Sequence, residues 1–96
     1  MKGIHSENTD KLFKALLSLN SVEECYDLFE DLCTVKEIRD MSQRLEVAGL
    51  LSKGMSYQKV SELTNVSSAT ISRVKRCLDY GTGGYATALK RMEETK

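Results

Sequence analysis

Apolar residues recur every three or four positions along most of the chain, the spacing that gives a helix one buried stripe. Leu12, Phe13, Leu16, Leu17 and Leu19 predict a helix from about Glu7 to Leu19, with Ser6, Asn8 or Thr9 available to cap its start. Val22, Cys25, Tyr26, Phe29 and Leu32 predict the inner stripe of a second helix. It opens with Ser21-Val-Glu-Glu24, a capping box in which serine and glutamate satisfy each other's end of the backbone. Thr34-Val-Lys-Glu37 repeats the box, with Cys33 and Ile38 at the spacing of a hydrophobic staple. The helix begun there either stops near Met41, with Ser42 as a fresh cap, or runs on to about Lys53. Met41, Leu45, Ala48 and Leu51 line one face of that later segment and Val47 and Leu50 another, so more than one side calls for burial. Gly54 suits the left-handed residue that ends a helix. No strand pattern interrupts the series, and the expected fold class is all-α, a single domain over 1–96 with 1–6 and 94–96 disordered.

The stretch from Ser56 to Leu78 predicts two short helices joined by a tight turn, a helix-turn-helix. Ser56 caps a first helix whose inner face carries Val60 and Leu63, and Ser67 caps a second carrying Ile71, Val74 and Leu78. Asn65 takes the turn position, where the backbone is left-handed and asparagine is tolerated next best after glycine. Val66 plugs the angle between the helices, and Ser61 is small where they cross. Thr64 occupies a position that is more often apolar. Ser67, Ser68, Ala69, Thr70 and Ser72 keep the second helix slim at its start, as a DNA major groove about 12 Å wide requires. Arg73, Lys75 and Arg76 follow as partners for phosphate, and Lys59 adds a cation on the first helix. After Leu78 the run Asp79-Tyr-Gly-Thr-Gly-Gly84 is expected to break the helix. It lacks the GxxxxGK[ST] spacing of a phosphate loop and reads as a hinge or turn. A last helix from Tyr85 to about Glu94 turns Tyr85, Ala88, Leu89 and Met92 inward.

Charge sharpens this division. The chain is neutral, with 14 Lys and Arg against 14 Asp and Glu. Residues 1–52 hold six cations and ten anions, a net −4, and residues 53–96 hold eight and four, a net +4. Within 53–78 five cations face only Glu62, and the acidic front half tempers non-specific sticking of the basic half. The acidic outer face of residues 22–32 reads as a solvated surface, not a carboxylate pair for catalysis. Three cysteines, Cys25, Cys33 and Cys77, form no CxxC pair, so reduced and mostly buried thiols are expected. With His5 as the single histidine, no metal site is expected, and no cofactor either. No membrane span or secretion leader is visible, which predicts a cytoplasmic protein.

Thr34 to Leu78 resembles the Trp repressor family, through Arg44-Leu-Glu-Val-Ala-Gly-Leu-Leu-Ser-Lys-Gly54, Met55-Ser-Tyr-Gln58 and Ser68-Ala-Thr-Ile-Ser-Arg73. Glu24-Cys-Tyr26, Leu32-Cys-Thr34, Gln43-Arg-Leu-Glu-Val-Ala48 and Ala69-Thr-Ile-Ser-Arg-Val-Lys-Arg-Cys-Leu78 are closest to its YerC/YecD branch, and the likeness spans roughly residues 10–92. The resemblance implies an intertwined helical dimer with projecting reading heads. It also implies a tryptophan corepressor between core and head, flanked by two arginines that Arg44 and Arg73 match. Two positions depart from the family. Val74 stands where the family has glycine at the floor of the ligand, an overpacking worth about 1 to 3 kcal/mol. Cys77 stands where a serine would bond the ligand's amino group, and a thiol is a poorer partner. The departures predict that tryptophan is not the effector, Arg44 being then a surface or ion-paired residue and Arg73 a phosphate contact.

The residues and the resemblance together predict a homodimeric, sequence-specific transcriptional regulator that binds a near-palindromic site in double-stranded DNA, and the resemblance alone implies that it is a repressor. The alternative is a helical module that keeps the fold and binds a protein. No nucleophile–base pair survives inspection, so no catalytic residue and no enzyme activity is expected.

Overall fold

The computed structural model describes residues 3–95, which form six α-helices and no strand: α1 (Glu7–Leu17), α2 (Val22–Leu32), α3 (Val35–Ser52), α4 (Tyr57–Thr64), α5 (Ser68–Tyr80) and α6 (Gly84–Glu94). The predicted caps account for most of the boundaries. Ser6, Ser21, Ser56 and Ser67 each accept a hydrogen bond from the backbone N–H three residues on, at 3.0 to 3.2 Å. At Thr34 the box is reciprocal, Glu37 N–H donating to Thr34 Oγ1 at 3.1 Å and Thr34 N–H to Glu37 Oε1 at 2.8 Å. Glu24 reaches one residue further back and accepts from Asn20 N–H at 2.7 Å.

The question left open near Met41 is resolved in favour of one 18-residue helix. The Thr34 box nucleates it, and the backbone at Ser42 stays helical. It ends in a Schellman motif: Gly54 has φ +89°, its N–H bonds Leu51 O at 3.0 Å, and Met55 N–H bonds Leu50 O at 3.3 Å. Three other boundaries differ from expectation. α1 stops at Leu17, with Ser18 N–H and Oγ both bonded back into its last turn. α5 runs two residues past Leu78, so Asp79 and Tyr80 are helical and the break falls at Gly81. α6 starts one residue early at Gly84 and includes Glu93 and Glu94; Met1, Lys2 and Lys96, part of the termini expected to be disordered, lie outside the described residues.

The chain divides into two compact units, with the boundary inside α3 between Ile38 and Arg39. In the second unit Val47, Ala48, Leu51, Val60, Val66, Ile71 and Val74 form a core, with Leu50, Met55, Leu78, Tyr85 and Leu89 packed at its edge. In the first unit no described residue is buried. The predicted inner stripe of α2 is largely uncovered, with Val22 73% and Tyr26 60% exposed. Cys25 and Cys77 are also exposed and Cys33 half-buried, against the expectation of mostly buried thiols.

Candidate nucleic-acid interface

The helix-turn-helix is built as the local chemistry dictates. Asn65 ends α4 in the left-handed region at φ +59°, the one positive φ outside glycine among the described residues, and its N–H bonds Ser61 O at 2.8 Å. Val66 is buried beneath the turn, and Ser67 caps α5 at once, so only three residues separate the helices. Thr64, the polar residue at an apolar position, satisfies itself locally. Its Oγ1 donates to Val60 O at 2.7 Å and accepts from Val66 N–H at 3.3 Å, pinning the turn from within. One inner-face assignment fails: Val60 is fully buried but Leu63 is 57% exposed. Eight residues give α4 barely two turns, and the core side is already filled by Val60 and Val66.

α5 has two faces. Ile71 and Val74 are buried and Leu78 half-buried, while Ser68, Ala69, Ser72, Arg73, Arg76 and Cys77 are exposed. Ser67 and Thr70 serve the turn: Thr70 N–H and Ser67 Oγ are 3.2 Å apart, and Ser67 Oγ donates to Thr70 Oγ1 at 3.1 Å. Their hydroxyls are therefore partly engaged in holding the helix start, leaving Ser68, Ala69 and Ser72 as the free tip. Lys59 is exposed on α4. Lys75 does not stand alone. Its ammonium lies 3.2 Å from Asp79 Oδ1, with both side chains 41% exposed. This pair was visible as an i,i+4 spacing once α5 is known to continue past Leu78. Of the remaining candidates, Arg44 is half-buried on α3 and Val74 is 1% exposed, its methyls spent in the core. No group of three or more potential metal ligands occurs among the described residues, and no helix is long and apolar enough to cross a membrane.

A family model for the Trp repressor protein matches residues 7–93. The chain belongs to the Trp repressor family. It is 50% identical over 93 residues to the uncharacterized protein YerC of Bacillus subtilis, covering 97% of this chain and 89% of YerC. A crystal structure from Staphylococcus aureus, of a protein provisionally assigned as a Trp repressor, superposes with a TM-score of 0.92 at 44% identity, covering 97% of this chain and 95% of that one. A TrpR-like protein from Eubacterium eligens gives the same TM-score at 43% identity, over 97% of this chain and 96% of the other. The Trp repressor family is one of regulatory DNA-binding proteins, not enzymes, and the all-α fold agrees with it.

Proposed function

We propose that this protein is a sequence-specific transcriptional repressor that reads duplex DNA as a homodimer. The observation that carries the reading is α5 itself, capped by Ser67, anchored by Ile71 and Val74, and presenting Ser68, Ala69, Ser72, Arg73 and Arg76 outward from a turn fixed by Asn65. A slim tip followed by cations is the arrangement that enters a major groove and binds the flanking phosphates. Lys59 on α4 adds a phosphate partner, and Ser67 and Thr70 stiffen the helix start. Lys75 contributes once it exchanges Asp79 for a phosphate.

The dimer is supported by what the first unit leaves uncovered. Phe13, Leu17, Val22, Tyr26 and Leu32 are each between 49% and 85% exposed. Apolar stripes on successive helices without a buried residue are stable when a second copy supplies the other half of the core. Two-fold symmetry then calls for a near-palindromic operator with half-sites about one helical turn apart. The same reading expects a cytoplasmic protein working at the chromosome.

Tryptophan is not the effector in this proposal. Val74 occupies the floor where the family keeps glycine, and its burial leaves it no freedom to withdraw. Arg44 and Arg73 then serve the helix surface and the DNA backbone, and Cys77 has no ligand to hold. Selection of bound sites from random duplex DNA tests the whole reading, repeated with millimolar tryptophan. Enrichment of one near-palindromic sequence, unchanged by tryptophan, is the expected result. No enrichment would reject DNA reading and favour a protein-binding module, and enrichment only with tryptophan would reject the account of Val74.

A further inference from the structure

Tyr80 is the unexplained residue of the reading head. It is 85% exposed, the most of the four tyrosines, and it lies on the two residues by which α5 outruns its expected end. Its position in the helix is not arbitrary. Ala69, Arg73, Arg76 and Tyr80 follow one another at spacings of four, three and four. At about 100° per residue they stay within a strip about 60° wide, on the side opposite Ile71, Val74 and Leu78. All four are exposed. The strip is therefore continuous: a small residue at the tip, two guanidinium groups, and an aromatic hydroxyl at the far end.

We infer that Tyr80 is a further DNA contact, its phenolic hydroxyl donating a hydrogen bond to a backbone phosphate at the edge of the groove that Ala69 enters. This rests on the DNA-reading role proposed above. Ala69 and Tyr80 are about 16 Å apart along the helix axis at 1.5 Å per residue. That exceeds the groove width of about 12 Å, so a helix whose first turn meets the bases carries Tyr80 out past them to the sugar–phosphate wall. A cation would be the commoner choice there. A cation in this last turn would be drawn back to Asp79, as Lys75 is, and to the unsatisfied carbonyls of the helix C-terminus, whereas a neutral hydroxyl stays available to the phosphate. Tyrosine hydroxyls are established phosphate donors, and the ring supplies the reach without a charge.

Neutrality gives the test its signature. Loss of a charged phosphate contact lowers affinity and also flattens the salt dependence, by about 0.9 in the slope of log K against log salt. Loss of a neutral one lowers affinity at every salt concentration alike. Tyr80→Phe keeps the ring and removes only the hydroxyl, so helix content and unfolding midpoint should match the parent chain. Its affinity for duplex DNA should fall about ten- to 150-fold per contact, the range for one hydrogen bond to a charged acceptor, on specific and random sequences alike. The salt slope should not move, whereas Arg76→Gln should reduce it. Parental affinity in Tyr80→Phe would overturn the assignment while leaving the DNA-reading role intact, as would a loss confined to one sequence. Failure of the parent chain to bind any duplex would overturn the role itself and this contact with it.

Discussion

The two units of this chain solve the same problem in opposite ways. From Arg39 onward a few small, β-branched and aliphatic side chains close a core of their own: Val47, Val60, Ile71 and Val74 are at most 1% exposed. Up to Ile38, helices with an equally regular apolar stripe bury nothing completely, and Leu17 is 85% exposed. Helical periodicity is thus a statement that a face needs covering. It does not say which chain provides the cover. Under the proposed function the difference would also separate the tasks, the head with its own core holding α5 toward DNA and the front half specifying assembly.

The largest effects should come from breaking either half of this contrast. Ile71→Ala empties the centre of the head and should cost about 2 to 5 kcal/mol. Phe13→Ala would be a mild change if the first unit worked alone, since the ring is 49% exposed. If a second copy covers it, the loss should approach about 3 kcal/mol. Thermal unfolding followed over a hundredfold range of protein concentration distinguishes these cases: the parent midpoint rises with concentration, and Phe13→Ala lowers it most at the dilute end. A midpoint independent of concentration, with a monomer mass in the ultracentrifuge, would end the dimer account.

Smaller changes probe the head's geometry. Gly81→Ala would set a Cβ against the Cys77 carbonyl, which is backbone and cannot swing aside, so the junction between α5 and α6 should loosen at a cost of about 1 to 3 kcal/mol. Gly54→Ala forces a side chain into the left-handed region, about 1 to 2 kcal/mol. Asn65→Gly at the matching position of the turn should be close to neutral. All three are read from denaturant melts, and a Gly54→Ala variant as stable as its parent would contradict the Schellman assignment.

Much of this was legible in the residues. The caps at Ser21, Ser56 and Ser67, the Thr34 box, the left-handed Gly54 and Asn65 and the buried Val66 all follow from local chemistry, which acts over three or four residues and leaves its mark at fixed spacing; at the start of α1 the structure chooses Ser6 from the three candidates. The differences arise from more distant packing. Leu63 has the spacing of an inward residue, but α4 is too short to offer it room. The continuity of α3 was undecidable because Ser42 can cap a helix or sit within one, and the choice is made by the helix already nucleated at Thr34. α5 runs two residues past Leu78 because Asp79 pairs with Lys75 one turn back, a helical spacing, and the glycine at 81 ends it. That the stripes of α1 and α2 stay exposed in a single chain is not written in their spacing, which carries no record of what covers them; only the family resemblance, with the intertwined dimer it implies, pointed that way.

The smallest predicted effect on stability belongs to this same pair. Asp79→Asn removes a surface ion pair worth about 0 to 1 kcal/mol and frees Lys75 for phosphate, so DNA affinity should rise modestly, while the melt hardly moves. Exchanging Ser68, Ala69 or Ser72 should instead redirect sequence preference, by about 1 to 3 kcal/mol per lost base pairing. Gel shifts on matched and mismatched duplexes separate the two patterns.

The DNA-binding surface proposed for this protein is the face of α5 opposite its core. Equilibrium binding of the parent chain to duplex DNA, measured from about 50 to 200 mM salt, tests it most directly. Affinity should fall steeply across that range, and the logarithmic slope should flatten by about one unit for each of Arg73 and Arg76 replaced by glutamine. No binding at low salt, or binding whose salt dependence is untouched by both replacements, would contradict the account.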